Sequence, residues 1–121
     1  IRSGTKEEFK FMSQQNQLVK FLPGGSAQEL KKALLPYSNS PIYLTIDLDW
    51  FDPSLLPGTG TPEPGGFFWN DFEVILDTLK NFRIVASDIV ELSPEIDNSG
   101  VSSVVAAKVL RSLIMLLENM Q

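Results

Sequence analysis

The 121-residue chain is long enough for one domain with a single core, and 43% hydrophobic with 21% charged residues is a globular balance, which excludes wholesale disorder. A formal net charge of -5, with no basic run denser than Lys31-Lys32, argues against nucleic acid as a partner. The absence of cysteine excludes disulfides and thiolate metal sites and fits a reducing cytoplasm, and no apolar run reaches the roughly 18 residues of a membrane span.

In chain order, the opening Ile1-Arg2-Ser3-Gly4 reads as a strand end running into a loop, and a chain that starts at Ile rather than Met is expected to be a piece of a longer protein. The segment from Thr5 to Gln17 is polar and helical in pattern. A short apolar run, Val19 to Leu22, closes at Pro23-Gly24-Gly25. Ser26-Ala27-Gln28-Glu29 then has capping-box form, with Ser26 as N-cap, and opens a helix that buries Leu30, Ala33 and Leu34 and stops before Pro36.

Ile42 to Trp50 is the clearest strand, with Ile42, Leu44, Ile46 and Leu48 alternating with Tyr43, Thr45, Asp47 and Asp49. A Pro- and Gly-rich loop follows, from Phe51 to Phe68. The next helix is expected to be capped by Asn70, with Glu73 three residues on, and to bury Phe72, Leu76 and Leu79. Arg83 to Leu92 is the second strand, Ser93-Pro94 a turn, and Val101 to Asn119 the last helix. Strands separated by helices imply parallel βαβ units in an α/β fold, whose ligands gather at the strand carboxyl ends.

Two features carry chemistry. Asp47 and Asp49 sit two apart, so on one strand both would project to the same face, with Cα atoms about 6.5 Å apart. Two carboxylates so placed repel and lose hydration unless a cation lies beside them; oxygen ligands without thiolates favour a hard ion such as Mn²⁺ or Mg²⁺. The alternative is that Asp49 merely ends the strand while Asp47 caps a turn. The loop Asp52-Pro53-Ser54-Leu55-Leu56-Pro57-Gly58-Thr59-Gly60-Thr61-Pro62-Glu63-Pro64-Gly65-Gly66 is too long to be an ordinary connection, and Pro and Gly suit it to a rigid pocket wall. An unremarkable turn-rich loop is the competing reading.

Taken together, Thr45-Ile46-Asp47-Leu48-Asp49-Trp50-Phe51-Asp52-Pro53 and Pro57-Gly58-Thr59-Gly60-Thr61-Pro62-Glu63-Pro64-Gly65-Gly66 resemble the third signature of the arginase and agmatinase (ureohydrolase) family. Ser87-Asp88-Ile89-Val90-Glu91-Leu92-Ser93-Pro94-Glu95-Ile96-Asp97 resembles that family's next strand and turn, and the likeness covers essentially the whole chain. The resemblance implies a three-layer α/β/α fold with a mainly parallel sheet, of which residues 1–121 would be the C-terminal portion of a single domain. It implies hydrolysis of a guanidino group to urea and an amine, using water activated between two Mn²⁺ ions. By the same resemblance Asp47 and Asp49 match metal ligands, Thr61 lines the substrate pocket, and Glu91 pairs with the planar guanidinium. Asp52 and Asp88 match recurring positions, read chiefly as structural, turn-forming residues, with support of the ligands as the alternative. Trp50 and Phe51 depart from smaller residues and are expected to pack under the loop. A homo-oligomer, trimeric or hexameric, in the cytoplasm is also implied.

The pattern is incomplete. The family's Gly-Gly-Asp-His and Asp-Ala-His-x-Asp motifs are absent, as is every histidine, the proton-shuttling one included. No proton-transfer residue is therefore assigned in this chain, and the chain alone is expected not to hydrolyse substrate at a useful rate. It is also expected to expose a sheet edge and to associate. The Pro57 to Gly66 segment resembles the agmatinase branch, with agmatine split to putrescine and urea. Arginase, guanidinobutyrase, other guanidino-acid hydrolases and formimidoylglutamase remain alternatives. A non-catalytic module that kept the fold is a rival from another class. A metal-dependent phosphotransfer domain is disfavoured, because no Gly-rich phosphate loop leads into a helix and Lys.

Overall fold

A computed structural model describes residues 4–14 and 27–118. The expected strand end at Arg2-Ser3, the apolar run Val19 to Leu22, the Ser26 cap, and the outer ends of the first and last helices lie outside the described residues. The elements are α1 (Lys6–Gln14), α2 (Ala27–Leu34), β1 (Ile42–Asp47), α3 (Trp69–Leu79), β2 (Ile84–Val90) and α4 (Val101–Glu118), with single 3₁₀ turns at Leu35–Tyr37, Leu48–Trp50 and Pro94–Ile96.

β1 and β2 pair in parallel, from Ile42 opposite Ile84 to Asp47 opposite Val90, with one irregularity between Ile42 and Tyr43. The α3 crossover between them makes this the βαβ unit expected of an α/β fold. Along β1 the pattern alternates as anticipated: Ile42, Leu44 and Ile46 are half-buried against the core, while Tyr43, Thr45 and Asp47 are exposed. The core joins Leu48, Phe51 and Leu56 of the loop to Phe72 and Leu79 of α3, Ile84 of β2, and Ala106, Val109, Leu113 and Leu116 of α4. Each large side chain fully withdrawn from water contributes about 1.5–3 kcal/mol, so the loop is packed into the core rather than draped over it.

α2 ends at Leu34, before Pro36 as expected, and half-buries Leu30, Ala33 and Leu34 without fully burying any residue; the chain passes through Pro36 as a 3₁₀ turn. Other element boundaries differ from expectation. The cap of α3 is Phe68, not Asn70: the carboxylate of Asp71 accepts the Phe68 backbone N–H at 2.8 Å, while Glu73 accepts the indole N–H of Trp69 at 2.9 Å. An acid at the third helical position satisfies an N-terminal donor as well as a side-chain N-cap does. The first strand stops at Asp47, and Asp49 lies in the following 3₁₀ turn.

Candidate functional site

That early stop alters the geometry of the acidic pair. Asp47 is the N-cap of the Leu48–Trp50 turn, and its Oδ1 accepts the backbone N–H of Asp49 at 2.9 Å. The two aspartates are therefore not strand neighbours on one face, as period-two alternation suggested. They are held together by a cap, which was the competing reading for Asp47. Leu48, the first residue of that turn, is 0% exposed and packs in the core. Asp47 stays exposed, and Asp49 is half-buried with its Oδ1 shielded from solvent.

The carboxyl ends of both strands meet the long loop here. The Thr61 hydroxyl donates to Asp49 Oδ2 at 2.5 Å. Glu91 directly follows Val90, the partner of Asp47 in the sheet. Its backbone has φ of 66°, the one non-glycine residue in the left-handed region among the described residues. Such a conformation is costly for an ordinary side chain and is kept where surrounding structure imposes it. Here it turns Glu91 toward the loop, whose Gly60, if given a Cβ, would place it 3.8 Å from Glu91 Oε2. Asp49, Gly60, Thr61 and Glu91 are thus drawn to one end of the sheet, with Asp47 beside them.

Asp52 closes the loop at its base. Its Oδ1 accepts the backbone N–H and hydroxyl of Ser54 at 3.0 and 2.6 Å, and its Oδ2 accepts the N–H groups of Gly65 and Gly66 at 2.9 and 3.2 Å. These donors, the Ser54 hydroxyl foremost, lower its pKa to about 2. A Cβ on Gly66 would lie within 2.4–2.6 Å of the Phe51–Asp52 backbone, so only glycine fits there. Phe51 is buried and Trp50 stacks on Phe67 at 4.0 Å, so both pack under the loop as expected. Asp88 accepts the Tyr43 hydroxyl at 2.8 Å, and the Thr45 and Tyr43 hydroxyls hold its carboxyl below the ordinary range. Both carboxylates are engaged by hydrogen bonds from within the chain.

Sequence reasoning passed over Asp97 and Ser102. Asp97 Oδ1 accepts from the backbone and hydroxyl of Ser99, and its Oδ2 accepts the Ser102 N–H at 2.8 Å; the Ser99 hydroxyl leads the causes that lower its pKa. The spacing Asp97, Ser99, Ser102 ahead of an apolar helix was the available signal.

The donors at the strand ends fit a hard divalent cation in kind but not in number. Asp47 and Asp49 offer oxygen, the chemistry Mn²⁺ takes, yet among the described residues no group of three or more His, Cys, Asp or Glu side chains could hold a metal ion. No chemical step is therefore assigned to a metal within this chain.

Comparison with known proteins gives a uniform result. Residues 1–116 match the model of the Arginase family. An agmatinase of Bacillus cereus is 36% identical over 118 residues, 95% of this chain and 40% of that protein. Proclavaminate amidinohydrolase of Streptomyces clavuligerus is 32% identical over 91 residues, 75% of this chain and 28% of that protein. Among solved structures, a Clostridium difficile protein provisionally named an agmatinase superposes with a TM-score of 0.84 at 47% identity, covering 97% of this chain and 42% of its own. The arginase of Bacillus caldovelox superposes with a TM-score of 0.77 at 25% identity, over 93% and 40%. The chain spans about 40% of the length of the curated agmatinase it matches in Bacillus cereus.

Proposed function

The chain belongs to the Arginase family, and from that premise we propose that it is the C-terminal portion of an agmatinase-type ureohydrolase domain, contributing half a site to the hydrolysis of agmatine to putrescine and urea. In this reading Asp47 and Asp49 are two ligands of a Mn²⁺ pair. Thr61 fixes the Asp49 carboxylate and lines the substrate pocket. Glu91 receives the guanidinium, whose planar, doubly donating edge suits a carboxylate better than a point cation would.

The observation that supports the reading is the convergence of Asp49, Thr61, Gly60 and Glu91 at the carboxyl end of a parallel sheet, with a left-handed Glu91 held in place to face the loop. Fold likeness to arginases adds the family frame, and the agmatinase relatives favour agmatine among guanidino substrates. The same proposal takes in a homo-oligomer and a cytoplasmic setting.

The experiment is product release with added Mn²⁺ over a panel of substrates: urea from agmatine, arginine and 4-guanidinobutyrate, and formamide from formimidoylglutamate. This chain alone is expected to stay at the metal blank. Joined in place of the matching stretch of the Bacillus cereus agmatinase, it is expected to support turnover with agmatine preferred. Full turnover by the chain alone would refute the half-site. A joined protein that folds but turns over arginine or formimidoylglutamate best would move the substrate elsewhere in the family.

A further inference from the structure

Gly60 and Thr61 lie in a loop without regular structure, so their placement depends on what grips the loop. The grip is a buried serine on another element. Ser102, in the first turn of α4, is 0% exposed. The backbone N–H of Gly58 donates to its Oγ at 2.8 Å, and the Gly58 carbonyl accepts the Ser93 N–H at 2.8 Å. Both polar backbone groups of Gly58 are therefore taken by the segment that follows Glu91. Contact is as close as the chain allows: a Cβ on Gly58 would come within 2.8 Å of Ser102 Cβ and Oγ and 3.2 Å of Asp97 Cβ. Ser102 is itself fixed by Asp97, which accepts its backbone N–H.

We infer that Ser102, oriented by Asp97, is a positioning residue: by clamping Gly58 it sets where Gly60 meets Glu91 and where Thr61 meets Asp49. The segment carrying Glu91 and the loop carrying Thr61 are thereby locked to each other, and the spacing between Asp49 and Glu91 follows from the lock. That these groups serve a guanidino substrate rests on the proposal above; the clamp itself does not.

A buried serine in the first turn of a helix ordinarily only supports that helix. The two roles separate in a measurement on this chain without metal or substrate: amide hydrogen exchange together with the NMR methyl signal of Thr61, in the unsubstituted chain and in Ser102→Ala. The clamp predicts exchange at Gly58 faster by about five- to tenfold, the effect of one lost hydrogen bond, with a displaced Thr61 methyl signal. The Val109 and Leu113 amides of α4 keep their rates. Gly58→Ala, which attacks the same contact from the loop side, is expected to displace the Thr61 signal likewise, and it stands as the test should Ser102→Ala not fold. Unchanged Gly58 exchange and an unmoved Thr61 methyl in Ser102→Ala overturn the inference. So does a uniform acceleration at Gly58, Val109 and Leu113, which would mark Ser102 as general support. Because nothing here needs turnover, failure of the clamp and failure of the guanidino-hydrolase reading are read separately.

Discussion

Asp52 shows how much one side chain can organise. Four donors converge on its carboxylate and join the start of the loop to its end. Its pKa is lowered to about 2 in the folded chain, below the ordinary 3.8. A depressed folded pKa means stabilisation that is complete above the unfolded value and lost as pH falls through the folded one. Acid unfolding is therefore expected to steepen between about pH 4 and pH 2, and Asp52→Asn is expected to flatten that region while lowering stability at neutral pH; a pH series of urea denaturation curves checks both. Gly66→Ala forces a Cβ against backbone that cannot move aside, and a loss of about 1–3 kcal/mol or more is expected in the same assay. Glu91→Gln keeps size and shape but removes the charge. In a joined, active protein it is expected to cost ten- to a hundredfold in kcat/KM for agmatine, the worth of a charge-assisted pair, with little change in the unfolding midpoint. The roles of Asp52, Trp50 and Phe51 were legible in the sequence because turn chemistry and aromatic bulk act locally. Asp97 and Ser102 were not: a serine amid Val and Ala reads as solvent-facing, and only the loop folding back from 44 residues earlier makes it a buried partner.

At the level of elements, the order of strands and helices and the identity of both strands could be read from periodicity alone, and their ends could not. Alternation ran on through Leu48 and Asp49, yet the strand stops at Asp47, where the aspartate side chain caps a turn that buries Leu48. Likewise Asn70 has the better capping propensity, but an acid one position later ties the chain back to Phe68. Local hydrogen bonds to Asp47 and Asp71 mark these boundaries, which propensity alone does not resolve. The loop is the element on which most depends. Phe51 and Leu56 bind it to Phe72 of α3, and Phe51 meets Phe72 edge-on at 5.8 Å. Phe72→Ala is expected to lose about 3–5 kcal/mol and to loosen the loop with α3, seen as faster exchange at loop amides as well as a lower unfolding midpoint.

Taken as a whole, the described chain has a well-built interior and an unfinished exterior. Tyr43, Val104, Leu110 and Ile114 are large apolar side chains left at 61%, 69%, 51% and 47% exposure. Association of the chain with rising concentration is expected in sedimentation velocity, and Leu110→Lys with Ile114→Lys is expected to reduce it. The fold frame, and the meeting of the acidic motif with the long loop at the strand ends, were legible from βαβ order and spacing. The two aspartates are too few on their own to hold a metal ion among the described residues, so the pair of Mn²⁺ ions rests on the family resemblance. We propose that these two carboxylates complete a manganese pair when the rest of an agmatinase domain is supplied. Calorimetric titration of Mn²⁺ into the joined protein, with and without Asp49→Asn, addresses it directly. Two ions per chain are expected, with tight binding lost in Asp49→Asn; a folded joined protein that takes up no Mn²⁺, or whose uptake ignores Asp49, would contradict the manganese role of these carboxylates.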